Sequence, residues 1–324
     1  MIAVTGAAGF IGSVLVWKLN QIGLRDILAV DQEAKNSPKW DNLKKKNFDA
    51  YYESDEFIGR LEKKEFDGKI RAVFHMGACS DTTETDRAFL RKNNSEYSER
   101  VARWCLANGA ALSYASSAAV YGDGAEGFSD GDELAPRLKP LNPYGQSKLD
   151  FDRWVLGHGH QDRVTGFRFF NVYGPNEYHK GPMRSLVQKG FEQIRDTGTL
   201  RLFKSYKTEY PDGGQKRDFL YVKDAVDALV WFYQNPKWRG IYNLGAGRAE
   251  TWNELARSLF EAMGKPPRIE YIPMPDAIRN QYQYFTQSDS SKLKSAGLPV
   301  RPRPLREGIA DYVANYLSKD DAHL

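Results

Sequence analysis

A glycine-rich turn near the start of the chain constrains its fold more than any other feature. Residues 5–12 read TGAAGFIG, directly after the apolar run Ile2–Thr5, which predicts a strand. Beyond the turn, apolar residues recur at helical spacing at Ile11, Leu15, Leu19 and Ile22. A strand, a tight turn and a helix in this order predict the first unit of a parallel α/β sheet.

The three glycines have the spacing GxxGxxG, and each meets a separate steric demand. Gly6 permits the tight turn, Gly9 lets backbone N–H groups approach a pyrophosphate, and Gly12 allows the helix to pack closely on the sheet. The N–H groups at the start of the helix attract phosphate. A strand-to-helix turn that binds nothing uses the same residues, so the glycines alone leave both interpretations open.

Asp31 favours the dinucleotide interpretation. It ends the second predicted strand, 19 positions after Gly12, where a carboxylate accepts hydrogen bonds from the adenosine ribose. A 2′-phosphate would be repelled by this charge, which favours NAD over NADP. Lys39 offsets the charge, and both dinucleotides stay open on these residues.

The rest of the first half repeats the strand–helix alternation. Further strands are predicted at Ile27–Val30, Ala72–Met76, Leu112–Ser116 and Val164–Phe170. Strands separated by helical stretches predict parallel pairing through right-handed crossovers. After about Asn171 the alternation stops, residues 206–215 form a polar loop, and an amphipathic helix follows the proline-rich residues 299–304. We expect an α/β protein with one doubly wound parallel sheet and a smaller lobe built from later, discontinuous segments.

Charge and cysteine content exclude several classes of protein. The 46 basic and 42 acidic residues leave a net charge of +4, and the longest basic run, Lys44–Lys46, lies among acidic residues. Nucleic-acid binding is therefore not expected. Two cysteines without metal-ligand spacing predict reduced thiols and no metal site. Without a signal peptide or a long apolar run, the chain is expected to be cytoplasmic and to have no membrane partner.

A second motif predicts acid–base chemistry. Tyr144 and Lys148 lie four residues apart, on one face of a predicted helix. A cation near a tyrosine stabilises the phenolate and brings its pKa closer to neutrality. The pairing alone is weak evidence in a chain with 18 tyrosines. However, Ser117 ends an earlier strand, at the sheet edge where ligands bind, and the three side chains together predict proton transfer to a substrate hydroxyl.

The chain resembles the nucleotide-sugar epimerase branch of the extended short-chain dehydrogenase/reductase family, because its motifs occur in the order and spacing of that family. The motifs are TGAAGFIG at 5–12, SSAAVYG at 116–122, YGQSK at 144–148 and RFFNVYGP at 168–175. The segments His75–Ser80, Glu177–Gly181, Lys216–Phe219, Ile241–Glu250 and Tyr282–Asp289 resemble enzymes that invert C6 of an ADP-activated heptose for lipopolysaccharide core synthesis.

The resemblance implies a Rossmann-type domain, formed by residues 1–172 and 214–243, and a sugar-nucleotide lobe formed by residues 173–213 and 244–324. It also implies a cytoplasmic homo-oligomer that holds NADP, with NAD as the alternative. The activity expected is oxidation of C6 to a ketone and reduction from the opposite face. Such an inversion needs a proton donor that is usable in each orientation of the substrate.

The functional roles of the family can be assigned to the residues of this sequence that occupy the matching motif positions. The resemblance implies Tyr144 and Lys180 as the two acid–base groups, with Ser117 orienting the C6 oxygen and Lys148 holding the ribose. Cofactor contacts are implied at Gly6, Gly9, Phe10, Ile11, Gly12, Asp31, Gln32, Lys39, Met76, Gly77, Ala78, Cys79, Ser80, Asn93, Lys148, Val172 and Lys180. Substrate contacts are implied at Ser117, Asn171, Lys189, Phe203, Lys204, Ser205, Arg217 and Tyr282.

Two departures from the family pattern affect the substrate contacts. Pro182 stands where a serine is usual, and Lys189 stands where a histidine is frequent. The alternatives are another nucleotide-sugar 4-epimerase, a 4,6-dehydratase or a noncatalytic dinucleotide-binding module. Ala118 and Ala119 argue against a dehydratase, which needs an acid there to expel water, and retention of Tyr144 with Lys148 argues against the noncatalytic module.

Overall fold

A seven-stranded, all-parallel sheet forms the centre of the protein. The computed structural model describes residues 1–32, 37–279 and 282–324. The sheet strands are β1 (Ile2–Thr5), β2 (Ile27–Asp31), β3 (Ala50–Glu53), β4 (Ala72–His75), β5 (Ala111–Ser117), β6 (Val164–Phe169) and β10 (Gly240–Leu244). Their order is β10-β6-β5-β4-β1-β2-β3, which is a doubly wound topology. The predicted strands and the fold class are confirmed.

Helices cover both faces of this sheet because its strands are apolar on both sides. On one face lie α1 (Phe10–Gln21) and α7 (Val222–Gln234), packed on alternate residues such as Ile2 and Val4. On the other lie α2 (Ser54–Glu62), α4 (Tyr97–Asn108) and α5 (Pro143–Gly157), around Ala3 and Val73. Two short helices, α3 (Arg87–Leu90) and α10 (Ser291–Ser295), complete the part of the protein that contains the large sheet.

Two small sheets and four helices make up the remaining part. Strands β7 (Asn171–Tyr173), β9 (Lys216–Tyr221) and β11 (Ala249–Thr251) form one sheet, and β8 (Leu200–Phe203) pairs in parallel with β12 (Ile269–Ile272). The helices are α6 (Leu186–Thr197), α8 (Trp252–Ala262), α9 (Asp276–Arg279) and α11 (Leu305–Tyr312). Helix α11 ends in a π-helical turn, Val313–Leu317, and the apolar face predicted for it packs into a shared core.

Two details differ from the predicted elements. Helix α1 ends at Gln21, so Ile22 lies outside the apolar stripe and is exposed. Strand β3 has no apolar alternation because it is an edge strand with half-exposed residues, which is why periodicity does not reveal it. In the described part of the chain, none of the helices is long and apolar enough to span a bilayer.

The topology places a crevice at one edge of the large sheet. From β1 the chain builds outward in one direction through β2 and β3, and in the other through β4, β5 and β6. Loops that leave the carboxyl ends of β1 and β4 therefore diverge, which opens a crevice at this point. The segment after β6 leads directly into β7 and brings the smaller sheets against the same edge.

Candidate active site

The glycine turn forms the floor of a cavity of about 390 Å³ at this crevice. Gly6 has a positive φ of 65°, and a Cβ placed there would lie 2.7 Å from backbone atoms of Gly77. A Cβ on Gly12 would lie 2.0 Å from the Gly6 carbonyl oxygen, so neither position accepts a side chain. Helix α1 begins without a side-chain cap, which leaves its N–H groups for an anion. The cavity fits the diphosphate of a dinucleotide.

The Asp31 carboxylate lies at the end of this cavity and is already hydrogen-bonded. Oδ2 accepts from the Ala8 N–H at 2.9 Å, and Oδ1 accepts from the Gln32 N–H at 2.8 Å. The Lys39 ammonium donates to Oδ1 at 2.5 Å. Asp31 therefore braces the glycine turn, and its charge is balanced by Lys39, which also lines the cavity. This arrangement weakens the repulsion that Asp31 alone would exert on a 2′-phosphate.

The residues expected to transfer protons line an adjoining cavity of about 680 Å³. Tyr144 and Lys148 project from the first turns of α5, and Ser117 ends β5. The Lys148 ammonium donates to the Ala115 carbonyl at 2.9 Å. The Ser117 hydroxyl is hydrogen-bonded to the Tyr144 phenol. The structure thus brings together the Ser, Tyr and Lys side chains that the sequence separates by 31 positions.

Burial dominates the electrostatics of this group. It raises the pKa of Tyr144, which the hydrogen bond from Ser117 only partly offsets. Burial also lowers the pKa of Lys148 to about 8. The sequence led us to expect that Lys148 would lower the pKa of Tyr144, whereas burial of the phenol prevails. Tyr144 is therefore protonated at neutral pH and can donate a proton.

Buried polar contacts fix α5 in this position. Asp152 forms a fully buried ion pair with Arg168 on β6 at 2.9 Å and accepts hydrogen bonds from Tyr114 and Ser116 on β5. At the start of the helix, the Asn142 side chain caps the Gly145 N–H at 2.7 Å. Loss of one partner from such a buried pair typically costs about 3–5 kcal/mol, so the helix that carries Tyr144 is firmly anchored.

Lys180 lies in a short turn, Tyr178–Met183, and lines both cavities. Its ammonium lies 5.5 Å from the centre of the Phe10 ring. Burial lowers the pKa of Lys180, the buried carboxylate of Glu177 opposes this, and the cation of Lys189 adds to it. A lysine with a lowered pKa is closer to a usable base at neutral pH.

Arg217 is buried beside the far end of the larger cavity. Its guanidinium lies 5.0 Å from the ring centre of Tyr282 and 5.7 Å from that of Trp252, both of which line the cavity. It donates one hydrogen bond, at 2.8 Å, to the Lys216 carbonyl. Among the described residues no carboxylate pairs with it, and burial lowers its pKa. A buried cation without an acidic partner is suited to an anionic ligand.

The structure places most of the predicted site residues in the two cavities. The smaller cavity is lined by Gly6, Gly9, Phe10, Ile11, Gly12, Asp31, Gln32, Lys39, Met76, Gly77, Ala78, Cys79, Ser80, Asn93 and Lys180. Lys148 and Val172, also predicted to contact the cofactor, line the larger one. It is lined as well by the predicted substrate residues Ser117, Asn171, Lys189, Phe203 and Tyr282. Lys204, Ser205 and Arg217 lie outside both linings.

Several cavity residues were not predicted from the sequence. His179 lines the smaller cavity, and burial lowers its pKa to about 4, so it is neutral at physiological pH. Thr82, Gln193, Trp252 and Gln283 line the larger one. His179 and Gln283 adjoin predicted residues, so the motifs HKG and YQYFTQ were the available signal. No local pattern identifies Gln193 or Trp252.

Comparisons with known proteins agree with this architecture. A family model described as the NAD dependent epimerase/dehydratase family matches residues 2–245. The chain is 49% identical, over the full length of both proteins, to the ADP-L-glycero-D-manno-heptose-6-epimerase of Nitratidesulfovibrio vulgaris. The crystal structure of the Helicobacter pylori enzyme of that name superposes with a TM-score of 0.80 at 28% identity, covering 97% of this chain and 95% of the other.

A more distant solved structure shares the same fold with its cofactor bound. The UDP-glucose 4-epimerase of Thermus thermophilus, in complex with NAD, has a TM-score of 0.75 at 25% identity and covers 96% of this chain and 97% of its own. The family match, the full-length relative and the crevice geometry agree. The chain belongs to the NAD dependent epimerase/dehydratase family.

Proposed function

We propose that the protein inverts C6 of an ADP-activated heptose, converting ADP-D-glycero-D-manno-heptose into ADP-L-glycero-D-manno-heptose. The observation that carries this proposal is the cavity that Tyr144 and Lys180 line together, from different elements, beside the cofactor cavity. An inversion through a planar ketone needs a proton-transfer group for each of two substrate orientations. The names of the full-length relatives support the choice of heptose and nucleotide.

The chain's own residues divide the work as follows. Tyr144 and Lys180 exchange protons with the C6 oxygen, one in each orientation, and Ser117 orients that oxygen by hydrogen bonding. Lys148 holds the ribose of the cofactor, and Arg217 with Tyr282 holds the ADP diphosphate. When bound, the nicotinamide dinucleotide supplies the oxidation and the return reduction at C6.

Within the same proposal, the cofactor is NADP. The observation behind this choice is the Asp31–Lys39 ion pair at 2.5 Å, which balances the acid that would otherwise repel a 2′-phosphate. Residues 1–172 with 214–243 form the cofactor domain, and residues 173–213 with 244–324 form the sugar-nucleotide lobe. A cytoplasmic homo-oligomer remains the expectation from the resemblance, and light scattering of the purified protein tests the assembly.

The deciding experiment is incubation of purified protein with ADP-D-glycero-D-manno-heptose, followed by chromatographic resolution of the C6 epimers. We expect both epimers to be present at equilibrium. The Tyr144→Phe variant is the matched negative control. UDP-galactose is offered in parallel. Turnover of UDP-galactose without interconversion of the heptose contradicts the proposal in favour of a 4-epimerase. Release of water to give a 4-keto-6-deoxy sugar identifies a dehydratase instead.

A further inference from the structure

The turn that carries Lys180 follows a buried asparagine with an uncommon backbone conformation. None of the six residues of Tyr178–Met183 is fully buried, although Tyr178 packs against a core cluster and its hydroxyl donates to the Ala322 carbonyl at 2.7 Å. The residue two positions before it, Asn176, is completely buried and has a positive φ of 75°. This conformation is strained for most residues other than glycine, and asparagine is among the few that adopt it.

Asn176 hydrogen-bonds to three separate parts of the chain. Its amide Nδ2 donates to the Ser13 hydroxyl on α1 at 2.9 Å. Its Oδ1 accepts from the Leu324 N–H at 3.0 Å. Its backbone carbonyl accepts from Asn42 Nδ2 at 3.1 Å. All of these polar groups are satisfied, which is what a buried amide needs in order to stabilise a single arrangement.

Asn42 extends this network to the glycine turn. It is also buried, and its Nδ2 donates to the Ala8 carbonyl at 2.9 Å and lies 3.1 Å from Nδ1 of His179. Ala8 lies between Gly6 and Gly9, and His179 directly precedes Lys180. Two buried asparagines, 134 positions apart in sequence, therefore connect the phosphate-binding turn to the turn of the second acid–base group.

We propose that Asn176 and Asn42, here called the asparagine bridge, are positioning residues that set the location of Lys180 relative to the cofactor turn. The inference rests on the proposed role of Lys180 in catalysis. Neither asparagine lines either cavity, so the bridge acts through the turn and not on the substrate. Small displacements of a reacting group are costly, since misplacement by about 1 Å reduces rates about 100-fold.

The test uses two variants that cut the bridge differently. Asn176→Gly removes the side chain, while glycine adopts the same positive φ without strain. Asn42→Ala removes the amide that donates to the carbonyl oxygens of Asn176 and Ala8 and leaves Asn176 in place. The matched control is Asn20→Ala, because Asn20 also makes three side-chain hydrogen bonds, to Leu24 and Asn47, but lines neither cavity.

We expect Asn176→Gly to lower kcat for heptose epimerisation about 10- to 100-fold, with KM and the Kd for the dinucleotide within about twofold. Asn42→Ala lowers kcat in the same way, and Asn20→Ala leaves it unchanged. Loss of cofactor affinity in parallel with kcat would overturn the inference, because the bridge would then only shape the glycine turn. Unchanged kcat in both bridge variants would overturn it as well.

A second measurement needs no substrate and separates this inference from the proposed function. An amine-acylating reagent labels lysines at rates that depend on their burial, and peptide mass spectrometry reads each site. Asn176→Gly should increase labelling of Lys180 several-fold relative to Lys148, which is anchored on α5, while Asn20→Ala should not. Equal labelling of Lys180 in the variant and the unmodified protein refutes the bridge. Failure of the unmodified protein to epimerise the heptose refutes only the proposed function.

Discussion

Replacing Arg217 by methionine should weaken nucleotide binding without weakening the fold. Arg217 is 6% exposed, and its guanidinium lies against the rings of Tyr282 and Trp252. Its pKa is lowered because burial disfavours the charge, and no acidic side chain in the described part of the chain pairs with it. The folded protein therefore holds a cation that is only partly compensated by the aromatic rings, whose contacts contribute about 0.5–2 kcal/mol.

The expected change in the Kd for ADP follows from the free energy of a hydrogen bond between Arg217 and the diphosphate. A hydrogen bond to a charged group contributes about 1.5–3 kcal/mol, and each 1.4 kcal/mol corresponds to a tenfold change in Kd. The Kd for ADP should therefore increase about 10- to 100-fold in Arg217→Met. A methionine fills similar space without a buried charge, so the melting temperature of the ligand-free variant should equal or exceed that of the unmodified protein.

Isothermal titration with ADP and thermal melting with and without ADP measure both effects. Arg248→Met is the control, because Arg248 is 46% exposed, precedes β11 and lines neither cavity. The control should bind ADP normally. A Kd for ADP within twofold of the unmodified value, accompanied by a lower melting temperature, would refute the reasoning and make Arg217 a purely structural residue.

Three further predictions concern the chemistry, the stability and the cofactor. Tyr144→Phe should lose epimerisation by a factor of at least about 100 and keep its bound dinucleotide, which the absorbance spectrum and chromatography of the released cofactor measure. Burial lowers the pKa of His75 to about 3, so the imidazole takes up a proton in the unfolded state at a higher pH than in the folded state. The free energy of unfolding should therefore fall by up to about 5 kcal/mol as the pH falls from 6.5 to 3. Urea titrations over this pH range should show a flatter dependence in His75→Gln. Lys39→Ala should shift the released cofactor from NADP toward NAD, and unchanged NADP content would show that charge balance at Asp31 does not set the preference.

Local motifs on regular elements are the part of this protein that its sequence predicts well. The glycine turn, β1 and the start of α1 form one contiguous segment, so their contacts follow from chain order. Tyr144 and Lys148 share a helix face for the same reason. Parallel pairing in a doubly wound sheet also follows, because strands that alternate with helices need crossover connections.

Features that depend on contacts between distant segments were not predictable in this way. The raised pKa of Tyr144 comes from tertiary burial, which the spacing to Lys148 does not encode. Trp252 reaches the cavity only because β11 pairs with β9 and leads into α8. The hydrogen bond from the Ala8 N–H to the Asp31 carboxylate joins the segment after β1 to β2, and it turns a predicted ribose ligand into a brace for the glycine turn.

The two side chains proposed as acid–base groups are held in place by different physical means. Tyr144 belongs to a helix anchored by the buried Asp152–Arg168 pair on the sheet. Lys180 comes from a turn after β7 that is outside the regular helices and strands. The packing of Tyr178 and the hydrogen bonds of the buried residue Asn176 hold the segment that carries this turn. We therefore expect substitutions around Lys180 to reduce kcat more than stability, and core substitutions around Asp152 to reduce both.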